Sequence, residues 1–105
     1  MNDLPFLSLS KVSRRIHARE LSSLGYTQAV LEQIHRHNPR INAICIMDEQ
    51  GALFRAKEAD AALDRGEDWG VFHGIPFTVK DTFATQGMRT SFANPLLRKH
   101  VPDYD

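Results

Sequence analysis

Two short apolar segments, residues 41–47 and 75–79, most constrain what this 105-residue chain can fold into. Each has the length, the apolar content and the flanking turn residues that are typical of a buried strand. Pro76 donates no ladder hydrogen bond, so we expect it at the start or the edge of the second strand. Two strands do not make a stable sheet by themselves. We therefore expect the chain to be a piece of a larger domain whose other strands lie elsewhere.

Amphipathic patterns predict three helices around these segments, at residues 8–19, 23–37 and 51–64. In each of them, apolar side chains recur at the three- and four-residue spacing of one helix face. The order is helix, helix, strand, helix, strand, followed by an irregular tail from residue 82. This order predicts an α/β protein, in which residues 1–105 form part of one domain.

Local signals mark the ends of the first two helices. Ser8 or Ser10 is suited to cap the first helix, because a serine hydroxyl accepts a hydrogen bond from a free N–H group of the first turn. Ser22 is suited to cap the second helix in the same way. Asn38-Pro39 is expected to end the second helix, since the residue before a proline is driven out of the helical region.

The composition excludes several classes of protein. Basic and acidic residues number 13 each, so the formal net charge is zero, without the one-sided positive charge of a nucleic-acid-binding protein. No apolar run is long enough to cross a bilayer, and the start of the sequence has no signal-peptide pattern. We therefore expect a cytoplasmic protein without a membrane partner. Cys45 is the single cysteine, which excludes a disulfide framework, and its apolar segment predicts a buried side chain rather than a nucleophile.

Neither a metal site nor a cofactor is expected from the sequence. The five histidines lack the spacing of zinc ligands. The glycines do not form a loop that follows a strand, as a dinucleotide-binding loop would. His73, which lies beside Gly74, is expected to be a packing residue of a loop rather than a general base.

Lys80 is the remaining candidate for chemistry. It ends the second apolar segment and is followed by Asp81. Such a pair at the end of a strand is most often a solvated boundary. The alternative is a lysine that loses part of its hydration at the mouth of a buried strand, which disfavours the ammonium form. A neutral amine of this kind can remove the proton of a serine hydroxyl and so create a nucleophile.

The residues around this lysine resemble the lysine motif of the amidase signature family. The motif is Gly74-Ile75-Pro76-Phe77-Thr78-Val79-Lys80-Asp81. Four other segments are similar to the family in the same order and at the same spacing: residues 38–43, 56–63, 87–91 and 101–105. The similarity covers nearly the whole chain from residue 8 onwards.

The resemblance implies a fold and a reaction. The fold is α/β, with a mixed central sheet covered by helices. The reaction is the hydrolysis of carboxamides by a Ser–cis-Ser–Lys triad, in which Lys80 is the lysine and acts on the nucleophilic serine through the bridging serine. In the family both serines follow the lysine, in a glycine- and serine-rich stretch that this sequence does not contain. We therefore expect the chain to be inactive by itself and to need the remainder of the amidase chain as a partner.

Two places depart from the family's pattern. Ala93-Asn94 stand where many members have Gly-Ser, and Thr82 stands where asparagine is frequent. Ser91 is close to Lys80 in sequence, but it occupies the position of a structural residue in the family. We therefore do not expect it to be the nucleophile.

Three functions stay open at this point. The first is an amidase that acts on a small-molecule amide, as a monomer or a homo-oligomer. The second is the glutaminase component of a complex that amidates misacylated tRNA, with other amidotransferase subunits as partners and no direct contact with nucleic acid. The third is a truncated interaction module without catalysis. Unpartnered apolar strands argue against the third function, because such edges invite aggregation.

Overall fold

The computed structural model of the protein describes residues 3–105. Three α-helices are present: α1 at Leu9–His17, α2 at Ser23–Ile41 and α3 at Glu49–Asp64. Short 3₁₀ turns lie at Leu4–Phe6 and Pro95–Leu97. The chain divides into two compact units, one of residues 3–45 with 49–76 and one of residues 46–48 with 77–105. The three predicted helices are confirmed, and all of them belong to the first unit.

Serine hydroxyls cap the first two helices, as predicted. The Ser8 hydroxyl accepts a hydrogen bond from the Lys11 N–H group at 3.3 Å. The Ser22 hydroxyl accepts one from the Gly25 N–H group at 2.9 Å. Glycine leaves room for the second cap, because a Cβ at residue 25 would lie 2.9 Å from that hydroxyl. Each bond satisfies one of the N–H groups that a helix leaves free in its first turn.

The predicted end of α2 at Asn38-Pro39 is wrong, since the helix continues to Ile41. The conformational preference before a proline is local, and here the contacts of the last turn outweigh it. The helix ends at Asn42, which has a left-handed backbone with φ 48° and donates its N–H to the Asn38 carbonyl. The Asn38 side chain also makes two 2.9 Å hydrogen bonds with the backbone of Ile44, which fixes the chain as it leaves the helix.

The core of the first unit is built from Val12 and Ile16 of α1 and Tyr26 of α2. Partly buried apolar side chains pack around these three: Leu4, Leu7, Leu21, Val30, Leu63 and Ile75. Helix α3 contacts α2 and buries a stripe of alanines, namely Ala56, Ala59 and Ala62. Burial of these side chains away from water is the main favourable term that holds the three helices together.

The carboxylate of Asp60 in α3 caps the start of α2. Its Oδ1 accepts a hydrogen bond from the Ser23 N–H at 2.7 Å, and its Oδ2 accepts one from the Leu24 N–H at 3.0 Å. Ser23 is fully buried, so without this carboxylate its N–H would lack a partner. A negative charge is also favourable at the amino end of a helix. Polar contacts therefore add to the apolar packing between α2 and α3.

Neither predicted strand is formed within the described residues 3–105. Ile41 belongs to α2, and residues 42–47 and 75–79 have no regular structure. A strand needs neighbours that take its hydrogen bonds, and two short segments are too few for a stable sheet. The described chain is helical, and the predicted α/β arrangement is not confirmed. Cys45 is exposed, so its predicted burial in a strand is wrong.

The second unit consists mainly of loops, which confirms the irregular tail predicted from residue 82. Backbone hydrogen bonds join the middle of this tail to its end. The Gly87 N–H donates to the Pro102 carbonyl at 3.0 Å, and the Thr90 N–H donates to the His100 carbonyl at 2.9 Å. Across residues 3–105, no helix has both the length and the apolar character that a bilayer crossing requires.

Candidate functional site

The motif that carries the lysine begins at Gly74, where backbone conformation and available space both require glycine. Its φ is +71°, a left-handed value that residues with a Cβ disfavour. A Cβ at this position would lie 2.8 Å from the Cβ and the hydroxyl of Ser23 and 3.3 Å from the Cβ of Ala59. The Ser23 hydroxyl donates a hydrogen bond to the Gly74 carbonyl. The start of the motif is thus fixed against α2 and α3.

His73, the residue before Gly74, is buried and hydrogen-bonded through both ring nitrogens. Its Nδ1 accepts a hydrogen bond from the Trp69 N–H at 2.9 Å, and its Nε2 donates one to the Ala59 carbonyl at 2.8 Å. One nitrogen accepts and the other donates, which is the pattern of a neutral imidazole. Neither nitrogen is free to act as a base, in agreement with the packing role predicted for this residue.

A second histidine, His17 in the last turn of α1, contacts the same loop. Its Nδ1 lies 2.7 Å from the Ser13 carbonyl oxygen, and its Nε2 lies 3.1 Å from Oδ1 of Asp68. Both neighbours are acceptors, so the ring is suited to carry a proton on each nitrogen. The Ser13 carbonyl and then Asp68 raise the pKa of His17 above its ordinary value. The Gly70 N–H and then His17 lower the pKa of Asp68.

Trp69 joins this loop to α3. The ring centroids of Trp69 and His73 are 4.7 Å apart. The guanidinium carbon of Arg55 lies 4.1 Å from the centroid of the indole, within the range of a cation–π interaction. The loop before Gly74 is therefore held by two histidines, an aromatic contact and a cation–π contact.

Lys80 is exposed, and its ammonium makes no hydrogen bond or ion pair with residues 3–105. Its carbonyl accepts a hydrogen bond from the Phe83 N–H at 3.0 Å, so the backbone turns directly after it. In the described chain, residues 77–79 make no backbone hydrogen bond. Within its unit, the position of Lys80 is therefore set by the residues that follow it.

Asp81 and Ser91 close the loop that follows the lysine, and this pair is named the Asp81–Ser91 clamp. Oδ1 of Asp81 accepts a hydrogen bond from the Ser91 N–H at 3.0 Å, and Oδ2 accepts one from the Ser91 hydroxyl at 2.7 Å. The Asp81 carbonyl accepts a further bond from the Phe92 N–H at 3.2 Å. The Ser91 hydroxyl and then its N–H lower the pKa of Asp81, with smaller contributions from the Ala93 N–H and the charge of Arg89.

Two residues next to the clamp have left-handed backbones although neither is glycine. Phe92 has φ 54° and Ala93 has φ 55°. This conformation costs an L-residue about 1–2 kcal/mol. Asn94 follows, and its side chain accepts a hydrogen bond from the Leu96 N–H at 3.0 Å. Where the sequence departs from the pattern of the family, the backbone thus keeps a conformation that favours glycine.

Comparison with known protein families shows which family the chain belongs to. The sequence profile described as Amidase matches residues 26–105, which is most of the chain and includes Lys80 and the clamp. The chain belongs to the amidase family. Its resemblance to that family, first seen in the lysine motif, is thereby confirmed.

Curated relatives extend the match of this amidase chain to its full length. It is 43% identical over 105 residues to the A subunit of the glutamyl-tRNA(Gln) amidotransferase of Neorickettsia sennetsu. The identity is 37% over 103 residues with the corresponding protein of Bdellovibrio bacteriovorus and 38% over 105 residues with that of Cutibacterium acnes. These alignments cover 98–100% of the amidase chain and 21–22% of each relative, so the chain spans a small part of their length.

Apolar side chains beside Lys80 are exposed in the amidase chain. Phe77 is 84% exposed, Val79 46% and Phe83 64%. Exposed apolar side chains that lie near one another mark a surface that another part of a protein can cover. Among residues 3–105, no group of three or more histidine, cysteine, aspartate or glutamate side chains is arranged to hold a metal ion.

The role of Lys80 stays a prediction from the sequence, and the residues that hold its surroundings were missed. The contact between Asp81 and Ser91 joins positions ten residues apart in a loop, where no periodic pattern applies. The cap that Asp60 forms on α2 was also missed, although its position offered a signal. Asp60 lies on the apolar face of the predicted third helix, and an acidic residue on such a face needs a partner.

Proposed function

We propose that this chain is the amino-terminal part of an amidase-type hydrolase that cleaves the C–N bond of carboxamides, with Lys80 as the general base. The observation that carries the proposal is the family match over residues 26–105, which contains the complete lysine motif. The side-chain nitrogen of Lys80 supports it, since it has no partner among residues 3–105 and a general base must be free to reach the proton that it removes. The two serines of the triad then come from the remainder of a longer protein.

The proposed reaction is covalent catalysis in two halves. The neutral amine of Lys80 takes the proton of the bridging serine, which in turn takes the proton of the nucleophilic serine. The oxygen of the nucleophilic serine attacks the amide carbonyl carbon, the C–N bond breaks, and the leaving nitrogen takes the proton from the lysine. Water then attacks the resulting ester, one of its protons passes back to the serine, and the carboxylic acid departs.

The surroundings of Lys80 support this role. A longer chain that covers Phe77, Val79 and Phe83 would bury apolar surface and remove water from the amine. Loss of water favours the uncharged form of an amine, which is the form that accepts a proton. We propose that residues 41–47 and 75–79 join the mixed central sheet of the amidase fold when those neighbours are present.

Glutamine is the second candidate substrate, and the names of the relatives favour it. The proteins of Neorickettsia sennetsu, Bdellovibrio bacteriovorus and Cutibacterium acnes are each named as the A subunit of glutamyl-tRNA(Gln) amidotransferase. In that role the enzyme would release ammonia from the side-chain amide of glutamine and work with other amidotransferase subunits. A stand-alone interaction module is less well supported, because Phe77 and Leu96 are 84% and 91% exposed and a free module would bury such side chains.

Amide hydrolysis by the full-length protein tests the proposal. Ammonia release is measured with glutamine and with a simple aliphatic amide, and the preferred substrate separates the two candidates. Lys80→Ala is expected to lower the rate by several orders of magnitude, because the members of a triad act as a unit. Lys99→Ala, which changes another exposed lysine of the same unit, is the matched control and should keep the wild-type rate. Near-normal ammonia release by Lys80→Ala would refute the assignment.

The coding sequence after Asp105 gives an independent check. We expect the reading frame to continue to a stretch similar to Gly-Gly-Ser-Ser-Gly-Gly, which supplies the serines. A stop codon directly after Asp105 would instead favour a truncated copy without catalysis.

A further inference from the structure

We propose that Ser91 is a positioning residue of the reaction, because it holds the Asp81 carboxylate away from Lys80. This inference rests on the proposed function of Lys80. It gives a role to two residues that the triad does not include.

The need for such a residue follows from the order of the sequence. Asp81 is the immediate neighbour of Lys80. A carboxylate within about 4–6 Å of an amine favours the charged form of the amine. A charged amine cannot accept the proton of a serine hydroxyl. An amidase with a lysine base and an adjacent aspartate therefore has to keep the two side chains apart.

Both oxygens of Asp81 are bound to Ser91. The bond from the Ser91 N–H to Oδ1 measures 3.0 Å, and the bond from the hydroxyl to Oδ2 measures 2.7 Å. Within residues 3–105 no ion pair joins Asp81 to Lys80, and the charge that acts on the carboxylate is that of Arg89. The carboxylate is thus engaged with the loop that follows the lysine and not with the lysine itself.

The backbone of the loop supports this contact. The Phe92 N–H donates to the Asp81 carbonyl at 3.2 Å, so Asp81 is held through its main chain as well as its side chain. Phe92 and Ala93 both have left-handed backbones. Unfavourable conformations of this kind persist where surrounding contacts enforce them, and they concentrate at functional sites. The clamp is therefore a defined structure and not a chance contact between mobile side chains.

The pH dependence of kcat/KM in the full-length protein tests the inference. In Ser91→Ala the freed Oδ2 can turn towards the ammonium, so the acid limb of the profile should move to higher pH by about one unit, a shift that solvent screening limits. Ser91→Thr keeps a hydroxyl, so the acid limb of its kcat/KM profile should lie at the same pH as in wild type. A purely structural role would lower the rate at every pH without moving the limb.

Asp81→Asn is the second variant, and it decides the question even if Ser91→Ala does not fold. Asparagine keeps the size of the side chain but has no charge. Its Oδ1 can still accept from the Ser91 N–H, whereas the bond to the hydroxyl reverses, with Nδ2 donating to the Ser91 oxygen. Its acid limb should stay at the wild-type position, as should that of the double variant with Ser91→Ala. A limb that moves to lower pH in Asp81→Asn would mean that the carboxylate already acts on the lysine, and the inference would be wrong.

The Lys80→Ala variant keeps the two proposals distinguishable. Hydrolysis that persists without Lys80 overturns the proposed function itself. Loss of hydrolysis in Lys80→Ala together with an unmoved acid limb in Ser91→Ala overturns the inference about Ser91 and leaves the proposed function intact.

Discussion

The Nε2 atom of His17 lies 3.1 Å from Oδ1 of Asp68, and this contact ties the last turn of α1 to the loop that leads to Gly74. Folding raises the pKa of His17 from 6.5 and lowers the pKa of Asp68 from 3.8. The stabilisation from His17 is complete below pH 6.5 and is lost as the pH rises through the folded-state value. The stabilisation from Asp68 is complete above pH 3.8 and is lost as the pH falls through its folded-state value.

The first prediction concerns this pH dependence. As the pH rises from 6.5 through the folded-state pKa of His17, the free energy of unfolding of the full-length protein should fall more steeply in wild type than in His17→Gln, because only the wild type loses the charged contact. Urea unfolding at a series of pH values measures the slope of the unfolding free energy against pH. His37→Gln, which changes an exposed histidine of α2, should keep the wild-type slope. Equal slopes in wild type and His17→Gln would contradict the charged state of His17.

The second prediction concerns the glycine at the start of the lysine motif. Gly74→Ala should destabilise the protein by about 2–4 kcal/mol, because it adds overpacking against Ser23 to the cost of a left-handed backbone. Gly66→Ala is the matched control, since Gly66 has φ +80° and no atom of residues 3–105 would lie within 4 Å of the added Cβ. The Gly66→Ala variant should lose only about 1–2 kcal/mol of unfolding free energy, the cost of a left-handed backbone for a residue with a Cβ. Equal losses of unfolding free energy would show that the contact with Ser23 has no effect.

The third prediction concerns the carboxylate between α3 and α2. Asp60→Ala should cost about 1–3 kcal/mol of unfolding free energy, because it leaves the buried Ser23 N–H without a partner and removes a helix cap. Asp64→Ala removes an acidic residue of the same helix whose ion pair with Arg19 is exposed. The Asp64→Ala control should lose less than about 1 kcal/mol of unfolding free energy, because exposed ion pairs contribute little to stability. Chemical denaturation of both variants provides the comparison, and a milder effect at Asp60 would refute the cap.

The fourth prediction concerns the left-handed residue after the clamp. Ala93→Gly should stabilise the protein by up to about 1 kcal/mol, because relief of the left-handed backbone exceeds the entropy cost of glycine. Ala61→Gly, in the interior of α3, should instead destabilise it by about 0.5–1 kcal/mol. Thermal unfolding of the two variants gives the sign of each change. A loss of stability in Ala93→Gly would mean that the backbone there is not strained.

The parts of the fold that depend on neighbouring residues were predictable from the sequence. The three helices and the serine caps at Ser8 and Ser22 follow from the spacing of apolar residues and from hydroxyl groups placed one turn before them. The end of α2 was not predictable, because the side chain of Asn38 bonds to Ile44 and the helix runs on past Pro39. That contact depends on where the chain goes after the helix.

The parts of the fold and of the candidate site that depend on residues far apart in the sequence could not be predicted as well. The two apolar segments have the composition of strands, but a strand also needs partners, and residues 3–105 form none. Lys80 is predicted as a site residue from its resemblance to a family motif, and its role stays a prediction. The partner of Asp81 was not found, because the bond to Ser91 depends on the path of a loop without periodicity.

Trp69 is the single tryptophan of the chain, and it contacts both His73 and Arg55. Its indole therefore serves as an intrinsic fluorophore at the segment that precedes the lysine motif. Release of that segment would expose the indole further to water and change its emission. Ordinary fluorescence spectroscopy can thus follow the opening of this region in the unlabelled protein.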